Sequence, residues 1–595
     1  MRSSGMTVVK HRWIVPATAA ALIALMAAQA VLSMRKKSVT VDEIMYIAAG
    51  YYHLKTGDFY FNMTNPPLMK LIAATPLLLL NPDLPEIESP PADWSLIRQW
   101  QYSRAFLFGN RVDADRILLF ARVPIVLLAA VLGVFVFRWS RELYGESAGL
   151  FALFLYGFSP NVLAHARLAT QDMGIAAFMF ITSYYFWRFM KRPDGRSLVV
   201  CGVCVGLCLL VKTTAILLAP IFGIYALICI ARRNGFGVYA RMPFARRIPA
   251  DFVRWRQLVS VVGAFCVMGL LAILTLNVGY RFQGTGRSIH GTSVFASAGD
   301  VQGLKARVPI PAPAPFVRLV RAQRALTSES DPSYFAGKVH DRALPYLMLA
   351  AFVLKTPIAV MVLFAAACYV LSRHARSIEG EWLLLLVIVV VMAFFSLMPN
   401  MQGRIRYVLP IFPCIFVLTS GLLRRGMVRS KLAGLSIGGL CIWFLAGVLF
   451  IHPHYLAYFN ELIGGPKNGY RYFVDSNLDW GQDLKGLKAY MDEKGVDRIK
   501  LGFFGSADAE YYGINYDYLP SVGLEPKEPG ERWWYELSAD RPAVLEPQSG
   551  LLAVSATMLM CPHWMGRLFG DSYEWLRDHE PIDQIGYSIL IYDLD

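Results

Sequence analysis

The sequence predicts a polytopic α-helical membrane protein of about eleven transmembrane helices, followed by a C-terminal α/β or α+β domain. Three observations carry this expectation. Of 595 residues, 55% are hydrophobic and only 17% are charged. Apolar runs recur at the length that crosses a bilayer, roughly 20 helical residues. Beyond residue 452 that pattern stops, and helix-like and strand-like periods follow instead.

The spans are expected near 13–33, 117–137, 148–164, 173–190, 197–211, 213–231, 258–279, 345–371, 382–398, 407–423 and 432–451. The first apolar run, Trp13 to Leu32, is longer than the core of a secretory signal and lacks a small-residue cleavage site, so it reads as a retained anchor. Basic residues occupy alternate connections: Arg138 and Arg141, then Lys191, Arg192 and Arg196, then seven arginines in 232–257, then Arg424, Arg425, Arg429 and Lys431. Such residues collect on the cytoplasmic side. This places the N-terminus in the cytoplasm and loop 34–116, loop 280–344 and the tail from 452 outside. Arg35, Lys36 and Lys37 oppose this orientation and are outnumbered. Pro66 to Leu80 is apolar but broken by Pro66, Pro67 and Pro76. A crossing there would turn the arginine-rich loops outward, so the segment is expected along the interface.

The chain thus divides into a membrane domain, 1–451, and an outer domain, 452–595. In the latter, Leu478 to Lys494 has helical periodicity ending at Gly495. Arg498 to Phe504, Gly550 to Met560 and Tyr587 to Leu594 read as strands. The net charge of +15 lies largely in the short loops, which argues against a nucleic-acid partner. Eight of nine cysteines fall in apolar segments, Cys201-x-x-Cys204 among them without histidines, so they read as packing residues. Only Cys561 lies in the outer domain, which leaves no disulfide within it.

Candidate chemistry begins with Asp42 and Glu43, just past the first span. The pair fits two readings: helix-start acids after a Thr40 cap, or carboxylates kept at the outer interface for chemistry. Asp172 opens the fourth span on the same face and fits both readings too. Arg122 lies inside an apolar run, where a guanidinium needs a carboxylate or phosphate partner or must snorkel. Lys212 and Lys355 interrupt apolar stretches, and Arg404 and Arg406 stand at the outer end of the tenth span. Arginine grips phosphate with two nitrogens, so these cations suit an anionic lipid headgroup. In the tail, Asp475, Asp479 and Asp483 recur every four residues and would share one helix face, with Asn477 as a possible cap and Trp480 as a core or sugar-stacking residue. Asn62-Met63-Thr64 has the letters of a glycosylation sequon only.

Taken in order, these residues resemble the GT-C glycosyltransferases, specifically the branch of dolichyl-phosphate-mannose–protein mannosyltransferases and bacterial aminoarabinose transferases. The resemblance runs through Asp42-Glu43, Gly57-Asp58, Asn65-Pro66-Pro67-Leu68-x-Lys70, Arg122 and Asp172. It continues with Tyr334-Phe335-x-Gly337, Lys355-Thr356-Pro357 and Arg406-Tyr407-x-x-Pro410. It implies an inverting transfer of a hexose or pentose from a polyprenyl-phosphate carrier to a protein or glycolipid hydroxyl at the outer face of a bacterial inner membrane. Asp42 would be the general base. Glu43 and Asp172 would orient the base, the acceptor or a metal. Arg406, with Lys212, Lys355 or Lys70 as lesser candidates, would stabilise the phosphate, and Arg122 would belong to the same donor site. Some relatives use a divalent metal and others do not. His53, His165 and His340 are the outer-face imidazoles, and no spacing marks a metal site. Asn65 replaces the histidine of eukaryotic members, and no MIR-type domain interrupts the outer loop, so the acceptor does not carry over. The competing readings are a transporter or flippase of a lipid-linked saccharide, and a non-catalytic envelope scaffold.

Overall fold

The computed structural model describes residues 4–86, 96–232, 253–287, 309–326, 333–340, 344–373, 380–398, 403–424, 430–522, 546–560 and 572–594. Arg233, Arg241, Arg246, Arg247, Arg425, Arg429 and Cys561 lie outside these residues, as do the side chains of Arg254 and Arg256 and most of loop 280–344.

A helix covers each expected span, but the spans are not alike. Among the described residues, five helices are long and apolar enough to cross a membrane: Trp13–Arg35, Ala114–Tyr144, Thr213–Ala231, Gln257–Gly279 and Lys431–Ile451. Leu127, Leu270, Leu435 and Phe450 stand exposed on them, as lipid-facing residues do. Two expected spans are broken. Glu146–Gly157 and Pro160–Ala166 meet at 64°, and Leu347–Lys355 and Ile358–Arg373 at 109°; counting each pair as one span brings the number to seven. The helices at 197–211, 382–398 and 407–423 are shorter, and the 21-residue helix Gln171–Lys191 is not among those that pass by length and hydropathy, so the expectation of eleven spans is met only in part.

Both breaks follow from the chain. Pro160 and Pro357 lack the N–H that would continue the preceding helix, and each sits in the first turn of the next or just before it. The carbonyls released there are taken up across the molecule. Asn161 Nδ2 donates to Lys355 O at 2.8 Å, and Asn460 Nδ2 donates to Val353 O at 2.6 Å and Thr356 O at 2.8 Å. The two breaks therefore hold each other.

The first connecting segment is itself folded. The helix Val41–Thr56 is buried along most of its length and ends at Gly57, whose φ of 74° suits glycine. Pro66–Leu80, expected at the interface, forms short helices Leu68–Ala74 and Leu77–Leu80. Gly50 lets this pair approach closely: a Cβ there would meet Lys70 O at 2.1 Å.

A hairpin of β1 (Ser333–Phe335) and β2 (Lys338–His340) turns at Ala336 and Gly337. The C-terminal region holds a five-stranded sheet of β3 (Ile499–Gly502), β4 (Tyr516–Tyr518), β5 (Gly550–Ser555), β6 (Asp583–Ile585) and β7 (Ile589–Leu594), in the order β4-β3-β5-β7-β6. β3 pairs parallel with β4 and β5, whereas β7 runs antiparallel to β5 and β6. The expected helix 478–494 forms only from Leu484 to Lys494, and the expected strand 550–560 turns helical at Ala556. The sequon reading also falls: Asn62 is buried, and its Nδ2 donates to Gln99 Oε1. The eight cysteines among the described residues are free thiols.

Candidate active site

The site is organised where the helix Val41–Thr56 begins. Glu43, its third residue, folds back so that Oε2 accepts from Thr40 N and Thr40 Oγ1, both at 3.0 Å. Arg122 reaches the same carboxylate through Nε at 2.8 Å and Nη2 at 2.6 Å, and Ala169 N donates to Oε1 at 2.8 Å. The other Arg122 donors go to Met34 O, Lys37 O and Ser38 O at 2.9–3.2 Å. All five guanidinium N–H groups are thereby used inside the protein. Burial opposes ionisation of Glu43, but Arg122 and the hydrogen bonds outweigh it and hold the carboxyl below its usual range. The expected donor-binding role of Arg122 is corrected on this geometry: it has no N–H left for a phosphate. Glu43 likewise faces the frame and not an open cleft.

Asp42 faces the other way. Its Oδ2 accepts from Arg406 Nη1 at 2.8 Å, and its side chain keeps 23% of its surface open. Asp172, in the first turn of the helix Gln171–Lys191, accepts from Lys212 Nζ at 3.0 Å and lies 3.8 Å from Arg406 Nη1. One guanidinium thus spans two carboxylates, and Lys212 holds the second from behind. Lys212 caps the helix Gly195–Val211 and lies 4.7 Å from the Tyr407 ring centre. Arg406 lies over the Trp480 ring at 4.4 Å, and its Nε is buried without a hydrogen-bond partner among the described residues. Tyr46, one helical turn beyond Asp42, accepts from Asn65 Nδ2 at 2.9 Å. The cluster therefore holds two acids and two bases, with the most open of these groups a carboxylate able to take up a proton.

Two expected phosphate ligands are elsewhere. Lys70 Nζ donates to Asn62 O and Asn65 O inside its own loop. Lys355 Nζ donates to Leu456 O and Asn477 O, beneath the C-terminal region. Both are 1% exposed, so each reads as a brace between carbonyls. His53 bonds to Asp58 O. Among the described residues, no three His, Cys, Asp or Glu side chains converge to hold a metal. Asp42 and Asp172 are paired with Arg406 and Lys212. Sequence reasoning missed Tyr46, which its spacing four residues from Asp42 marks, and Tyr407 as a neighbour of Lys212. It also missed Arg167, which is wholly buried with all three nitrogens lacking hydrogen-bond partners among the described residues, and for which no sequence signal exists.

The acidic segment 475–483 is not an α-helix; only a short 3-10 turn forms, at Asp475–Asn477. Asp475 pairs with Arg404 at 3.1 Å, and Asp483 pairs with Lys37 and accepts from Ser588 Oγ at 2.7 Å. Asp479 accepts from Thr557 N at 2.9 Å and Gly481 N at 3.3 Å. Burial pushes the Asp479 carboxyl up to about 7 against these bonds. At Asp483 burial works in the same sense, but Lys37 prevails and holds the group below its usual range. Asn477 caps nothing; it binds Gly403 O and Ile405 N at 2.6 and 3.0 Å.

Residues 114–238 match the family described as dolichyl-phosphate-mannose-protein mannosyltransferase. That segment contains Arg122, Asp172 and Lys212. No curated protein matches the chain in sequence. Among solved structures, the chain is similar to ArnT from Cupriavidus metallidurans bound to undecaprenyl phosphate, at 11% identity and a TM-score of 0.46 over 99% of this chain and 98% of that one. It is also similar to the apo oligosaccharyltransferase of Archaeoglobus fulgidus, at 12% identity and a TM-score of 0.45 over 95% of this chain and 72% of that one.

Proposed function

We propose that the protein is an integral-membrane inverting glycosyltransferase, moving a sugar from a polyprenyl-phosphate carrier to an acceptor hydroxyl. The observation that carries this reading is the partly open Asp42 carboxylate held by Arg406 beside the Asp172–Lys212 pair. The family match over 114–238 supports the reaction class. The basic loops support a cytoplasmic N-terminus and an extracytoplasmic C-terminal domain, as in a bacterial inner membrane.

The arrangement accounts for each step. Asp42 takes the proton of the acceptor hydroxyl while that oxygen attacks the anomeric carbon. The bond from that carbon to the carrier phosphate breaks, and the electron pair stays on the phosphate oxygen. Arg406 and Lys212 meet the charge that develops there. In the state described here Arg406 is closed onto Asp42. An arriving phosphate draws the guanidinium away and leaves Asp42 free to act as a base. Asp172 orients both cations, and the Glu43–Arg122 pair fixes the backbone from which Asp42 projects.

The test supplies the purified protein with radiolabelled polyprenyl-phosphate hexoses and pentoses and a crude envelope acceptor. Labelled acceptor together with released polyprenyl phosphate is the expected result, and the product identifies sugar and acceptor. A second reading, a transporter of a lipid-linked saccharide, is favoured by the two broken helices. It predicts movement of labelled donor across proteoliposome membranes with no transfer to any acceptor.

A further inference from the structure

We infer that Trp480, carried by the C-terminal region, is a positioning residue for Arg406, and that segment 475–483 sets the distance between the proposed base and its arginine. The inference rests on the function proposed above and extends it to a part of the chain that the sequence left without a role.

The segment has two arms. One holds the backbone around Arg406: Asn477 accepts from Ile405 N at 3.0 Å and donates to Gly403 O at 2.6 Å, and Asp475 pairs with Arg404 at 3.1 Å. The other holds the chain that leads into Asp42. Ser38 N donates to Gln482 O at 3.0 Å, Val41 N donates to Trp480 O at 3.1 Å, and Ser38 Oγ donates to Gly481 O at 3.1 Å. Lys37 pairs with Asp483. Asp42 and Arg406 are 364 residues apart in sequence, yet both are hung on the same nine-residue stretch.

Trp480 sits between the arms. Its ring is 1% exposed and lies 4.4 Å from the Arg406 guanidinium carbon, while the Trp480 backbone N–H donates to Gln482 Oε1 at 2.7 Å. Gly481 makes this turn possible, with φ at 81° and room for no Cβ: one would lie 2.5 Å from Gly505 Cα. An indole face attracts a guanidinium and resists its tilting. Trp480 therefore holds the plane of Arg406 while Nη1 moves between Asp42 and a phosphate. The ring is buried with Arg406 over one face, which favours the core reading of Trp480 over sugar stacking.

The test uses the full-length protein in lipid nanodiscs with polyprenyl phosphate as the probe. Dissociation constants are compared for wild type, Trp480→Leu, Trp480→Phe, Arg406→Gln and the Trp480→Leu/Arg406→Gln double variant. Trp480→Leu is expected to weaken binding about tenfold, Trp480→Phe to recover most of it, and Trp480→Leu to add nothing in the Arg406→Gln background. In turnover, the donor KM rises while the acceptor KM holds. Where Trp480→Leu fails to fold, Trp480→Met is read in the same way. Unchanged binding in Trp480→Leu, or an equal loss in the Arg406→Gln background, overturns the inference alone. Failure of the wild type to bind the probe overturns the proposed function together with it.

Discussion

Arg406 Nη1 donates to Asp42 Oδ2 across 2.8 Å, the shorter of its two carboxylate contacts; Asp172 lies 3.8 Å from the same nitrogen. Glu43, the next residue, turns to Arg122 at 2.6 Å and is fully buried, while Asp42 stays partly open. Two adjacent acids therefore have separate tasks, and variants can tell those tasks apart.

Glu43→Gln and Arg122→Met are expected to act on folding. Each removes one member of a buried, fully hydrogen-bonded pair and strands the other, a loss of about 3–5 kcal/mol. Thermal unfolding in detergent should show a clearly lowered midpoint and reduced yield for both. An unchanged midpoint in either variant contradicts the role assigned to the pair.

Lys212→Met is expected to act on the donor. It removes a charge-assisted bond to Asp172 and one of the two cations near the leaving phosphate, so the donor KM should rise about 10- to 100-fold. Lys212→Arg should retain most of the affinity. Steady-state kinetics against donor concentration checks this, and a KM that stays at the wild-type value removes Lys212 from the donor site.

Asp479 gives the C-terminal region a pH dependence of known sign. Unfolded aspartate titrates near 3.9, roughly, whereas burial raises Asp479 to about 7. Between these values the folded state keeps a proton that the unfolded state has released. The contribution is full below the unfolded value and is lost as pH rises through the folded one. Relative to Asp479→Asn, the wild type should therefore lose stability from pH 5 to pH 8. Parallel melting curves for the two proteins would count against the assignment.

The membrane architecture was legible because apolar length and basic loops report directly on the bilayer. Hydropathy did not register the 64° and 109° breaks, although Pro160 and Pro357 stand at them. Asp42, Asp172, Arg406 and Lys212 were found as types at one interface, and the fold brings these four together. Arg122, Lys70 and Lys355 suggest phosphate ligands in the sequence because a cation in an apolar run announces a need for partners without naming them. Their partners are mainly backbone carbonyls, for Lys355 more than 100 residues away, which no spacing rule anticipates. Asp475, Asp479 and Asp483 suggested a helix by their period, but each is claimed by a different tertiary partner, and those contacts override the local preference.

The most direct test of the account compares transfer by wild type and Asp42→Asn from a radiolabelled polyprenyl-phosphate sugar that the wild type turns over, with thermal midpoints measured on the same samples. The account predicts a loss of about 10²- to 10⁴-fold in kcat, the usual weight of a general base, with the midpoint preserved. Wild-type turnover in a folded Asp42→Asn protein would contradict it.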